Sequence, residues 1–451
     1  MSRPIFTASD AHLQMALSWA LLWLLSLGAL AAVCQPYDDA KLTLTSFGTP
    51  DPFLNSFRGR YYLTFTAGDR IEIWSSKSLV DIEKSAVKHH IWEPAHGAND
   101  SVDIWAPELH ALRGRWYIYY AAANAKKGKK SHRLYVLGGP PATEDPCLGQ
   151  WEFLGPIHRM PNQWAIDGTV FEIEDELYLA YSGWPLNSSE LYQSDRDDFK
   201  NRYSAQHSLG NVDEKIDHSH HGNASRGDDA PGNTAASDTL GLVQHLYIVR
   251  LDNPSRAGSR PVPVGLPHQP WEITHDNNGA HAINEGPQWL ASPDGRWRGL
   301  VYSCGGSWTH EYKMATLKYR GGEPLDPSSW QKSRAPLLQM HKQSGAGPFG
   351  PGHGSFLHIG GGHVIAIYHA TDNPNDGWRN RRARVQRVAF TEKGPYMGKS
   401  FGMEGPSKRD GLWARIAAMF RSTKTTSLDK TEDFRAFLEA RRLETDAKDE
   451  M

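Results

Sequence analysis

Five stretches of the chain share one pattern: a short polar motif, a turn, then a run in which aliphatic and aromatic residues alternate. They are "DPFLNSFRGRYYLTFTAG" from Asp51, "WAPELHALRGRWYIYYAAA" from Trp105, "AIDGTVFEIEDELYLAYSGW" from Ala165, "NEGPQWLASPDGRWRGLVYSCGG" from Asn284 and "GPGHGSFLHIGGGHVIAIYHA" from Gly350. Tyr117 and Tyr119 alternate with Trp116 and Ile118, the period of two that sends neighbours to opposite faces of a sheet. Glu108 follows Asp51 by 57 positions, Asp167 follows Glu108 by 59, and His353 follows Glu285 by 68. The interval from Asp167 to Glu285 is 118 positions, about twice the others, and it contains the polar, unpatterned residues 187–240. With so few apolar residues to bury, that insertion is expected to stay disordered. Without its 54 residues the interval is 64. Five such units, each long enough for about four strands, predict an all-β, five-bladed β-propeller over residues 45–395. A β-sandwich or barrel with coincidental spacing is the competing architecture.

Both ends depart from this pattern. Met15 to Val33 is apolar throughout, Arg3 precedes it, and Ala29-Leu30-Ala31 offers a small-x-small cleavage site. Residues 1–33 therefore read as a signal peptide and the protein as secreted. Nineteen apolar residues are also long enough to span a bilayer, so an uncleaved signal anchor is the alternative. Three N-x-S sequons, at Asn99, Asn187 and Asn223, are compatible with a secretory route. Residues 396–451 read as a charged, partly helical tail. Leu412, Trp413, Ile416, Met419 and Phe420 share one helical face, and Phe434, Phe437 and Leu438 share another after Asp429, a capping candidate with Glu432. Docking on the propeller is the favoured role for this tail, ahead of binding a partner or a membrane surface.

Composition narrows the function. The 49 basic and 51 acidic residues nearly cancel, which gives no field suited to nucleic acid or anionic lipid. Sixteen Trp and 17 Tyr suit a sugar-binding surface, since aromatic faces stack on the apolar faces of sugars. The three cysteines, Cys34, Cys147 and Cys304, set no disulfide framework or zinc spacing; one Cys147–Cys304 bridge is conceivable in a secreted protein. "DHSHHG" (Asp217 to Gly222) has metal-binding residue types, but a solvated polar loop is the plainer reading.

In a propeller the innermost strand of each blade lines the central channel, so Asp51, Glu108, Asp167, Glu285 and His353 would converge near one axis. Four carboxylates and an imidazole there cost stability through repulsion and burial, and chemistry is the better reason to keep them. The motifs "DP" (Asp51-Pro52), "WAPE" (Trp105 to Glu108), "IDG" (Ile166 to Gly168), "NEGP" (Asn284 to Pro287) and "GPGHGSF" (Gly350 to Phe356) resemble glycoside hydrolase family 43, in that family's order, over roughly residues 45–392. The pattern around "NEGP", "LDPSSW" and "GPGHGSF" is most similar to exo-acting α-L-arabinofuranosidases. Departures are Gly354, where Asn often follows the His, and the 187–240 insertion.

The resemblance implies an inverting hydrolase that trims arabinan or arabinoxylan of plant cell walls, with no nucleic-acid partner and no membrane contact unless the leader stays attached. It assigns Asp51 as general base, Glu285 as general acid and Asp167 as the carboxylate that orients Glu285 and keeps its pKa high. It makes Trp105, Glu108, Trp289 and Arg384 candidate substrate-binding residues. Each has a structural counterpart: core packing for the tryptophans, a salt bridge for Glu108 and a solvated strand charge for Arg384. It makes His353 a ligand, partly through waters, of a channel metal, often calcium. Calcium prefers oxygen ligands, so a hydrated ion and a simple hydrogen-bonding role for His353 both stand. β-Xylosidase and endo-1,5-α-L-arabinanase are the enzymatic competitors. A sugar-binding propeller without activity and an interaction scaffold are the other classes, and neither needs acids at the blade starts.

Overall fold

A computed structural model describes residues 41–186, 243–276, 279–340, 348–397 and 432–440. They build a five-bladed β-propeller. Blade one is Phe53–Phe57, Arg60–Thr64, Ile71–Ser76 and Val87–Trp92; blade two is Val102–Leu112, Arg115–Asn124, Gly128–Pro141 and Glu152–Pro156. Blade three is Ala165–Ile173, Glu176–Gly183, Val243–Asn253 and Val262–Gly265; blade four is Gly279–Ala291, Arg298–Cys304, Lys313–Tyr319 and Trp330–Lys332. Blade five has Phe349–Ile359, His363–Thr371 and Arg382–Thr391, and takes its remaining strand, Lys41–Thr43, from the start of the described chain. That strand pairs antiparallel with the third, Lys41 to Gln386 and Thr43 to Arg384, and so closes the ring.

The turns explain part of the repeat. Arg58-Gly59, Arg113-Gly114 and Glu174-Asp175 each join an innermost strand to the next, and all six residues have positive φ. Two consecutive left-handed residues make the tight turn whose twist matches paired strands. Around the ring, a hydrophobic layer fills each seam. Ile73 and Ile104 meet Trp116 and Ile118 between blades one and two. Tyr119 and Val136 meet Val170 and Leu179 between blades two and three. Ile248 packs with Leu300 at the next seam, and Met314 with Val364 and Tyr368 after it. The final seam joins Leu54, Leu63 and Trp74 to Ile365, Ile367 and Val385.

Cys147 lies against the seam of blades one and two and Cys304 within that of blades three and four; both are free thiols, so the conceivable bridge does not form. The strands flanking the insertion pair without a slip from Leu177–Leu251 to Gly183–His245. The insertion itself, Asn187, Asn223 and the "DHSHHG" run lie outside the described residues, as do the apolar leader and the Leu412–Phe420 face. Among the described residues no helix is long and apolar enough to cross a membrane. Asn99 is exposed, its Oδ1 accepting from Asn124 at 3.3 Å.

Residues 432–440 are helical. Phe434 and Leu438 are 1% and 3% exposed in the seam that joins blades five and one, with Phe437 packed beside them. The helix thereby covers the seam held by the closing strand. Phe434→Ala should lower the unfolding free energy by about 3 kcal/mol, as large-to-small changes in a packed core do. A thermal melt reads the loss, while turnover of a small aryl glycoside at 25 °C should stay near normal.

Candidate active site

Four of the five innermost strands carry a bulge near the start; the first, Phe53–Phe57, pairs without a slip. Register slips between Trp105 and Glu108, Ile166 and Thr169, Glu285 and Gln288, and Gly352 and Ser355. Inside these slips lie Ala106, Asp167, Gly286 and His353, all with φ near +50°, and Asp51 takes the same conformation just ahead of Phe53–Phe57. A bulge re-aims side chains and leaves an extra residue outside the ladder. Asp and His tolerate left-handed backbone better than most residues, and Gly tolerates it best. Pro287 sits inside the slip, where its lack of an N–H costs no ladder bond.

The bulge N–H groups find acceptors on the preceding blade. Asp51 donates to His369 Nδ1 (3.1 Å), Ala106 to Thr66 Oγ1 (2.8 Å), Gly286 to Asp167 Oδ2 (3.0 Å) and His353 to Ser303 Oγ (2.7 Å). The Thr66 hydroxyl in turn donates to Asp51 Oδ2 at 2.7 Å. Asp51, Asp167, Glu285 and His353 are thus drawn together by residues up to 318 positions apart in the chain.

Their environments differ. Burial alone would raise the Asp51 carboxyl, but Arg381 (Nη1 3.5 Å from Oδ1), His353 (Nδ1 3.3 Å) and the Thr66 hydroxyl outweigh it and hold the group well below the usual carboxylate range. Burial pushes Glu285 up to about 7, helped by the nearby Asp51 charge, against the Tyr312 hydroxyl, which donates to Oε1 at 2.8 Å, and against Arg381 and Ser307. Asp167 is also held well above the usual carboxylate range, by burial and then by the charges of Glu285 and Asp51. Asp51 is therefore an anion at neutral pH, while the Asp167–Glu285 pair resists full ionisation. His369, fully buried and close to Arg381, is held well below the usual imidazole range. It is neutral, which fits its Nδ1 accepting the Asp51 N–H.

Glu108 is 2% exposed and bonds to His110 Nε2 (2.8 Å) and to Gln288 of blade four. Blades two and four are not neighbours, so this contact bridges the channel just inside the bulges and forms a floor; it does not leave Glu108 presented to a ligand. Trp105 is partly exposed and stacks on His132, ring centres 3.9 Å apart.

Two expected residues are elsewhere. Trp289 lies flat on Phe171 (4.6 Å, 5°) within the seam of blades three and four, too far along its strand to meet a sugar at Glu285. Arg384 bonds to Asp372 and to Thr43 Oγ1 (2.9 Å), holding the closing strand. Arg381 is the arginine at the carboxylates. In "RNRRARVQR" nothing marks it out except its place before the strand, at the channel end.

Sequence reasoning also missed Tyr312, which belongs to no motif. Gly352 makes room for it: a Cβ there would lie 2.0 Å from the Tyr312 ring. At Gly354, a Cβ would meet Met314 Cε at 2.8 Å and Ile367 O at 3.1 Å, so Met314 fills the space an Asn would need. A rim residue was missed as well: Trp378 donates to Ser307 Oγ at 3.1 Å. Lys129 of blade two lies 6.0 Å from the Trp378 ring of blade five. Its carbonyl accepts from Trp164 (3.2 Å) and lies 2.6 Å from His132 Nδ1.

No group of three or more potential metal ligands occurs among the described residues, and His353 Nδ1 faces Asp51. These residues do not form a direct shell for calcium, which takes six to eight oxygens.

The family model for "Glycosyl hydrolases family 43" matches residues 44–215 and 235–396. The chain belongs to this family. As a family 43 member it is a glycoside hydrolase, and its propeller is the family fold. It is 28% identical over 317 residues, 69% of this chain and 76% of the relative, to an extracellular exo-α-(1→5)-L-arabinofuranosidase of Streptomyces chartreusis. It is 27% identical to α-L-arabinofuranosidase 43 of Humicola insolens, over 80% of this chain but 62% of that protein, less than two thirds of its length. Among solved structures, an α-L-arabinofuranosidase from Lactobacillus brevis superposes with a TM-score of 0.57 at 26% identity, covering 79% of this chain and 95% of that one.

Two outcomes follow from the electrostatics. A group with a raised pKa contributes stability that is present at low pH and lost as pH rises through its folded value. For Glu285, moved from 4.5 to about 7, the loss approaches about 3 kcal/mol. Glu285→Gln should therefore melt higher than the parent at pH 8, with a smaller difference at pH 5. Tyr312→Phe removes a hydrogen bond that favours the Glu285 carboxylate, so the alkaline limb of kcat/KM should move to higher pH.

Proposed function

We propose that this hydrolase removes terminal α-L-arabinofuranosyl residues from arabinan or arabinoxylan with inversion at the anomeric carbon. The observation that carries this reading is the split between two converging carboxyl groups. Asp51 is held ionised while Glu285 keeps its proton to near neutrality, the division of roles that acid–base glycoside cleavage needs. Asp51 takes a proton from water as the water oxygen attacks the anomeric carbon. Glu285 gives its proton to the departing glycosidic oxygen, and the C–O bond breaks. Proton exchange with solvent then restores both groups. Asp167 holds the Gly286 N–H and thereby the bend that carries Glu285, and its charge, when present, opposes ionisation of the acid. Arg381 and His353 keep Asp51 anionic, and Trp105 offers a ring face at the mouth.

Exo action is supported by the approach of Lys129 to Trp378, since the two reach toward each other from blades that are not neighbours. An obstructed mouth admits a chain end more readily than the middle of a polymer. The names of the relatives support arabinose as the sugar removed. The apolar leader and an extracellular relative support secretion, with anchoring through residues 15–33 as the alternative. The hydrated calcium ion suggested by the family resemblance stays a proposal limited to water-mediated contact with His353, and no step passes through it.

The deciding experiment follows the products of arabinan, arabinoxylan and xylan, alongside nitrophenyl arabinofuranoside and xyloside. Arabinose alone should appear from the first time points, with the inverted anomer formed first by proton NMR. Early oligosaccharides would favour an endo-arabinanase, xylose release a β-xylosidase, and a retained anomer would overturn the roles of Asp51 and Glu285. Glu285→Gln should cut polysaccharide turnover by about 100-fold or more and spare substrates with activated phenolate leaving groups.

A further inference from the structure

A second cavity opens between blades two and three, with a volume of about 750 Å3, within the range of ligand-binding clefts. Its walls come from residues 98–100, which lead into the innermost strand Val102–Leu112, from the 124–133 hairpin, and from residues 156–165, which lead into Ala165–Ile173. Asp51 likewise leads into its own innermost strand. The cavity therefore opens at the same end of the propeller as the carboxylates, behind Trp164 and His132. No catalytic group lines it.

Its more accessible charged side chains are basic. Lys127 is exposed, with no side-chain partner among the described residues. Arg133 is half-buried: Nε and Nη2 bond to Asn162 Oδ1 (3.0 and 2.6 Å) and Nη1 to the His132 carbonyl (2.8 Å). Three of its donors fix the plane, and a guanidinium has five N–H groups, so two remain beside the cavity. Burial lowers the Arg133 pKa, but an arginine stays charged. The acidic wall residue Asp100 is 2% exposed and accepts from the Tyr120 hydroxyl at 2.8 Å, so it lies behind the surface. Arg159, also on the wall, is 3.7 Å from Asp252. Asn124 is spent within the wall, bonding to Ala98, Asn99 and Lys126, but exposed Asn99 and Asn162 add amides suited to hydroxyl groups, and Phe153, 41% exposed, adds an aromatic wall.

We propose that this cavity is an accessory subsite for a uronate-bearing part of the polysaccharide, its carboxylate held by Arg133 and Lys127. A pinned guanidinium with spare donors suits a planar carboxylate, and the amides and the ring suit a sugar rather than a simple anion. The proposal rests on the reading of the chain as a polysaccharide hydrolase. It places an acidic sugar beside the neutral arabinose at the carboxylates, and favours arabinan still attached to an acidic backbone over debranched arabinan.

Binding can be read without hydrolysis. The protein carrying Glu285→Gln is titrated calorimetrically with trigalacturonate and, separately, with neutral arabinotriose, at low and at 0.5 M salt. We expect trigalacturonate to bind, to weaken at high salt, and to lose about tenfold or more in affinity with either Arg133→Gln or Lys127→Glu. Circular dichroism checks the fold of each variant, and Lys127, being exposed, covers the case in which the Arg133 change disturbs the hairpin. On the otherwise unmodified enzyme, both variants should leave aryl arabinofuranoside turnover unchanged and reduce kcat/KM only on arabinan linked to an acidic backbone. Absence of trigalacturonate binding, or binding that ignores the Lys127→Glu change, would overturn the subsite. Neither result bears on arabinose release, which the aryl substrate measures separately.

Discussion

The left-handed residue at the start of each innermost strand is the constraint on which the site depends. A regular strand would send successive side chains alternately into the two seams, and few would point along the channel. The left-handed residue breaks that alternation, inside a bulge in blades two to five and just ahead of the strand in blade one. Its unpaired N–H must then find an acceptor, and at four described positions the acceptor comes from the preceding blade. The same bond that satisfies the backbone fixes the angle between neighbouring blades. Catalytic geometry and blade packing are therefore not separable: Asp167 cannot move without releasing the Gly286 N–H, nor Thr66 without releasing both Asp51 and Ala106.

Around this ring the protein keeps charge where an apolar core would be more stable. Two buried carboxyl groups with raised proton affinity stand beside one that is held ionised. The difference comes from neighbours: Asp51 has the Arg381 guanidinium and two imidazoles close around it, whereas for Glu285 the Tyr312 and Ser307 hydroxyls and the pull of Arg381 do not outweigh burial and the Asp51 charge. Burial is common to both groups, and only the compensating partners separate them. An arginine placed beside the wrong carboxylate would make two anions and no acid.

Much of this was legible in the chain itself. Alternation and spacing located the five blades, because each blade repeats the same strand pattern, and the blade-opening motifs located Asp51, Asp167, Glu285 and His353. What stayed hidden has a common cause. His369 and Ser303 act from second strands, and Thr66 and Tyr312 from just beyond the end of a second strand and just before a third, where a polar residue beside an apolar run carries no positional mark. Arg381 and Arg384 are three positions apart in a cluster of arginines, and only the end of a strand separates a channel residue from one that ties the ring shut. Trp289 shows the converse: its closeness in sequence to Glu285 suggested a sugar platform, but a strand advances more than 3 Å per residue, and four residues carry it out of the site into a seam.

The pairing of Lys41–Thr43 with Arg382–Thr391 has a consequence for how the molecule forms and fails. A segment synthesised among the first must wait for nearly the last blade before it has a partner, so ring closure belongs late in folding and carries the loop-closure entropy of some 340 intervening residues. Until then blade five exposes an edge able to recruit a strand from another molecule. Once shut, the ring has no free end from which blades can peel one at a time. Its lifetime is then governed by the barrier to opening a single seam rather than by the average strength of all five.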